Sequence, residues 1–130
     1  MLILLCYKLN FVREVMRSIV EEKSMEFALT IIRMYNYLVS EKKEYVLSKQ
    51  ILRSGTSIGA NIKESINAQS KADFIHKRFI ALKEADETAY WLELLYKSSI
   101  LNAYTYGKIN SDLSEIIAML TASIKTMKNT

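Results

Sequence analysis

The chain has 130 residues, half of them hydrophobic and a quarter charged, and Lys plus Arg outnumber Asp plus Glu by enough to give a formal charge of +4. That suits a single compact domain; with no proline and three glycines, sheets and tight hairpins lose their usual punctuation, so helices joined by short polar turns are expected. The single cysteine, Cys6, excludes an intramolecular disulfide, and one thiol with one imidazole (His76) cannot build a tetrahedral zinc site within one chain.

The opening MLILLCYK is apolar, but no basic residue precedes it and about seven apolar residues are too few for a spanning helix, so neither an anchor nor a signal peptide is expected. Val12, Val15, Met16, Ile19 and Val20 keep helical spacing until Glu21-Glu22-Lys23-Ser24 interrupts it. Phe27, Ile31, Met34, Tyr35 and Leu38 then step by three and four, which predicts an amphipathic helix over 25–39 with Ser24 as its N-cap. The upstream segment reads either as a separate turn or as part of one longer helix starting near Asn10.

After the polar turn Ser40-Glu41-Lys42-Lys43, the residues Leu47, Ile51, Ser54, Ile58, Ile62 and Ser65 define one seam of a second helix over 44–69. Its centre, Ser54 to Ala60, is unusually small. Interior glycines cost about 1 kcal/mol each relative to alanine, so Gly55 and Gly59 are expected where another backbone approaches closely.

Ser70-Lys71-Ala72-Asp73 has the form of a capping box and starts a third helix over 71–98, whose apolar surface is wider than one stripe. Asn102 caps a fourth helix over 103–128, with Lys125 and Lys128 at its carboxyl end and Gly107 as a soft point that allows a later start at Ser111. Four helices with short connections predict an all-α, antiparallel up-down-up-down four-helix bundle.

Gly55-Thr56-Ser57-Ile58-Gly59 spells the G-x-S-x-G of a hydrolase nucleophile elbow. That motif needs a strained turn between strand and helix, whereas helical steps run through Ser57 on both sides, so a packing role is expected. The phosphate-loop pattern fails because Ala60 stands where its second glycine belongs. Asp73-Phe74-Ile75-His76 is the chain's one acid-x-x-His, too few for a di-iron bundle site.

Glu84, Asp86, Glu87 and Glu93 cluster on the third helix while Arg53, Lys49 and Lys63 lie on the second, so carboxylates can meet cations across an antiparallel pair, an arrangement expected to fix helix register rather than to catalyse. For phosphate contact the candidates are Lys42, Lys43, Lys49 and Arg53 along the first turn and second helix, with Lys71, Lys77 and Arg78 at the start of the third.

The segment from Tyr45 to Leu95, with RSGTSIGANI followed by ADF, ALKEA and YWL, resembles the four-helix bundle family of the 23S rRNA intervening sequence proteins, and the likeness extends over residues 24–128. The resemblance implies a homopentameric ring without enzymatic activity. The family is similar to the accessory proteins of diversity-generating retroelements, basic pentamers that bind nucleic acid, although that link is an analogy of fold.

By position, Arg53, Gly55, Ser57, Gly59, Asn61 and Glu64 match its second-helix motif and Glu84, Glu87, Tyr90 and Trp91 its third. These are expected to serve packing and register, with Tyr90, Trp91 and Leu95 at an oligomer interface. MLILLCYKLNFVREV reads as an amino-terminal extension, with Met16 as an alternative start. The expected protein is a cytoplasmic homo-oligomeric scaffold without cofactor, metal, small-molecule substrate or membrane, binding RNA or DNA through its basic patches. The alternative is a protein-interaction adaptor with no nucleic-acid role.

Overall fold

The computed structural model describes residues 1–130, arranged as four helices: α1 (Leu2–Ser40), α2 (Leu47–Ile66), α3 (Lys71–Lys97) and α4 (Ala103–Lys128). Each packs on its chain neighbours and α4 returns to α1, with no diagonal packing of α1 on α3 or of α2 on α4. This is the up-down-up-down bundle. Its core takes one stripe from each helix: Phe27, Ile31 and Leu38, then Ile51, Ile58 and Ile62, then Ala81, Ala85 and Leu92, then Leu113, Ile116 and Leu120.

α1 departs most from expectation. It is a single helix that begins at Leu2, well before the 25–39 predicted from apolar spacing and before Asn10. Glu21, Glu22 and Lys23 are good helix formers, so the break in hydrophobic rhythm does not break the backbone. Ser24 accordingly lies inside the helix and caps nothing: it is 2% exposed, donates to the Glu21 carbonyl at 2.9 Å, and packs against Gly59 of α2. All residues from Met1 to Ser18 are exposed, so the first half of α1 contributes almost nothing to the core.

The small centre of α2 is where α1 comes close. A Cβ placed on Gly55 would lie 2.9 Å from Cγ1 of the fully buried Ile31, and one on Gly59 would meet Ser24 Oγ at 3.4 Å. The helix starts at Leu47 rather than Glu44, because Glu44 acts as its cap. The Glu44 carboxylate accepts the backbone N–H groups of Val46 (3.1 Å), Leu47 (2.9 Å) and Ser48 (2.6 Å). Burial pushes this carboxyl up, but the three amides together hold it below its ordinary value.

α2 ends at Ile66, short of Gln69. Ser70 then accepts the Asp73 amide at 3.1 Å, while the Asp73 carboxylate takes the amide of Gln69 at 3.2 Å. α4 runs unbroken through Gly107, capped by Asn102 on the Thr105 amide at 2.8 Å. No helix is long and apolar enough to cross a membrane.

Candidate functional site

Between α2 and α3 lies a polar brace. In the core, Ser54 and Thr88 share a hydroxyl–hydroxyl hydrogen bond of 2.9 Å with neither residue exposed. Outside it, the Arg53 guanidinium donates to Glu84 at 3.2 Å and to Glu87, and the Trp91 indole N–H donates to Glu87 at 3.0 Å. The Trp91 bond holds the Glu87 carboxyl low, burial opposes it, and Arg53 reinforces the lowering. Tyr90 packs edge-on against Trp91, centroids 5.1 Å apart, yet stays 58% exposed. Every charged group in the brace is paired, as a register device requires.

Ser57 is half-buried on an unbroken helix, and its hydroxyl donates to the Arg53 carbonyl at 2.6 Å. Since Ser54 faces Thr88, Ser57 lies level with Ala85, about 14 Å along the axis from the exposed His76. Asn61 likewise returns to its own helix, donating to the Ser57 carbonyl at 2.8 Å, and Glu64 pairs with Lys77 at 3.0 Å. No group of three or more His, Cys, Asp or Glu side chains gathers in metal-holding geometry.

The candidate phosphate contacts divide between opposite ends of the bundle, about 30 Å apart along the twenty residues of α2. At the end formed by the α1–α2 and α3–α4 connections, Lys42, Lys43 and Lys49 are exposed and outside every ion pair. Arg53, a turn further on, is committed to the brace. At the other end Lys71 is exposed, and Lys77 is tied to Glu64, which raises its pKa.

Arg78 is a correction: only 2% exposed, it cannot reach a nucleic-acid backbone from the surface. Its Nε donates to Ser65 at 2.8 Å and its Nη1 to Ser123 at 3.3 Å, with the guanidinium 4.8 Å from the Phe74 ring centroid. Burial lowers its pKa to about 10, an effect that nearby Glu21 opposes and Arg17 strengthens. The signal is one of spacing, because Arg78 lies on the same face of α3 as Ala81, Ala85 and Leu92.

Leu95 is the second correction. It is fully buried in the core and has no surface to offer a subunit interface, whereas Tyr90 is exposed. The sequence reading missed the grooves along the α1–α4 seam, one floored by Phe27 and Ile116 and rimmed by the Lys23–Glu115 pair, the other running past Met34 and Tyr37 to Asn102. Their residues belong to two helices far apart in the chain and share no motif.

The geometry defines an all-α bundle with a braced α2–α3 face and one end rich in unpaired lysines. The family model of the 23S rRNA-intervening sequence protein matches residues 16–122, and the chain belongs to that family. The fold is similar, with a TM-score of 0.84, to the crystal structure of a protein of unknown function from the S23 ribosomal protein family of Bacteroides thetaiotaomicron. The two are 55% identical over 85% of this chain and 98% of that one. No curated protein matches. Residues 1–15, the exposed apolar start of α1, precede the family match.

Proposed function

We propose that the protein is a non-enzymatic helical scaffold of the cytoplasm that assembles with copies of itself and binds RNA or DNA through a cationic end of its bundle. The observation that carries the nucleic-acid reading is the group Lys42, Lys43 and Lys49, exposed and free of ion pairs at one end of a protein with net charge +4. Unpaired lysines can neutralise phosphates, whose release of counterions makes binding favourable and salt-dependent.

Self-assembly is supported by the surface α1 leaves uncovered. Leu2, Leu9 and Phe11 in its first half, and Met25 and Leu29 further on, are each more than 40% exposed. So many exposed large apolar side chains along one helix are uncommon on a monomer. The five-fold ring implied by the family resemblance would multiply one weak cationic end into an avid surface. The same apolar area favours one alternative, a protein-interaction adaptor whose binding would not respond to salt.

Light scattering on the full chain tests the assembly: a mass several times the 15.0 kDa protomer is expected, and a monomer at micromolar concentration contradicts it. Hydrolase activity is not expected. Substituting Ser57→Ala should leave any ester-cleaving activity of the preparation unchanged, because that hydroxyl is already bonded to its own helix.

A further inference from the structure

The cationic end carries more than lysines. Tyr104 in the first turn of α4 is 80% exposed, Tyr45 before α2 is 52% exposed and Tyr37 near the end of α1 is 42% exposed. Tyr96 and Tyr106 stack across the α3–α4 connection with centroids 4.4 Å apart and planes 7° from parallel. Tyr37 shares a groove with Asn102 and Thr105, so the two connections lie together at this end.

The charge around these rings is one-sided. Lys108 of α4 joins Lys42, Lys43 and Lys49 in having no ion-pair partner. Of the nearby acids, Glu44 is engaged with the first-turn amides of α2 and Glu93 with Lys97 at 2.6 Å, which leaves Glu41 as the one exposed, unpaired carboxylate beside four unpaired lysines. The opposite end also has exposed lysines outside every ion pair, Lys71, Lys125 and Lys128, but it differs in its rings. Its Lys63 and Lys77 face Glu21 and Glu64, its Arg78 is buried, residues 61–80 and 110–130 contain no tyrosine, and the exposed Tyr7 stands alone further out on α1.

Exposed flat rings among unpaired lysines fit a strand whose bases are free to stack. A duplex hides those faces within its own stack and offers a lysine cluster only phosphates. We infer that this end is a single-strand site, where Tyr104 and Tyr45 stack unpaired bases while the lysines follow the phosphates. The inference rests on the nucleic-acid reading above and assigns it an end of the molecule and a substrate class.

The test uses the full chain and fluorescein-labelled oligouridine of about 12 nucleotides, within the usual size of such sites, against an RNA duplex of equal length. By fluorescence anisotropy in about 50 mM salt the single strand should bind at least about tenfold tighter. The Tyr45→Ala, Tyr104→Ala double variant should lose about tenfold or more of that affinity, while the corresponding Phe variants, which keep the ring, retain it. Replacing Lys42, Lys43 and Lys49 by Ala should lower the salt slope of the single-strand complex by about 2. Duplex binding as tight as single-strand binding, or Ala variants that bind unchanged, would overturn the single-strand site and leave the scaffold reading standing. Absence of binding to either probe overturns both.

Discussion

Arg78 shows how much one side chain depends on its surroundings. A guanidinium that hydrogen-bonds two neutral hydroxyls inside the bundle costs desolvation that no carboxylate repays within ion-pair distance. Arg78→Met keeps most of the volume and removes the charge, so its stability in urea should stay within about 1 kcal/mol of the parent, whereas Arg78→Ala should lose about 2–4 kcal/mol by opening a cavity. Equal loss in both variants would mean that the hydrogen bonds dominate.

Glu44 works in the opposite sense. Its folded pKa is held below the ordinary 4.5, so its stabilising contribution is complete above that pH and is lost as pH falls through the lowered folded value. Glu44→Ala should cost about 1–2 kcal/mol at pH 7 and little at acid pH, which thermal unfolding across pH would register.

Among the elements, α2 is the one whose composition was most informative before the fold was known. Two glycines in a helix interior announce a close crossing, and α1 supplies it through Ile31 and Ser24. The glycines are nevertheless unequal. Gly55→Ala drives a methyl into Ile31 and should destabilise by about 1–2 kcal/mol net of its gain in helix propensity. Gly107→Ala meets nothing within 4 Å and should stabilise by about 1 kcal/mol. Denaturant midpoints of the two variants on either side of the parent would bear this out; a shift in the same direction would not.

α1 was the least legible element. Periodicity reports which residues share a face, and it detected the stripe from Phe27 to Leu38. It is silent on whether a polar interval such as Glu21 to Ser24 continues as helix, because both outcomes suit those residues. Ser24 illustrates the ambiguity: a small hydroxyl residue serves an N-cap and a tight crossing equally well. The Glu44 cap escaped for a related reason, since the acceptor stands before the helix and its three donors are backbone amides that any sequence possesses.

At the scale of the whole molecule, chain order misled where tertiary structure separated or buried residues. Lys42, Lys43 and Lys49 and the pair Lys71 and Lys77 share a basic composition but stand at opposite ends. Arg78 and Leu95 are drawn inward by the stripe they belong to. What the sequence could reveal was the α2–α3 brace, because Arg53, Glu84 and Glu87 lie on consecutive antiparallel helices with opposite charge.

The exposed start of α1 makes a prediction at this scale as well. Leu5 and Leu9 are 56% and 53% exposed and lie outside the core. Glutamate at both positions should leave unfolding free energy within about 0.5 kcal/mol of the parent while reducing self-association. A loss of several kcal/mol would show that this segment stabilises the bundle.

The scaffold reading stands most directly on the lysine end and its dependence on salt. The decisive measurement is the affinity of the full chain for a labelled RNA at two salt concentrations. With four lysines contacting a single strand, affinity should fall about 50-fold between about 50 and 200 mM salt. No binding at the lower salt, or binding that salt does not weaken, would contradict it.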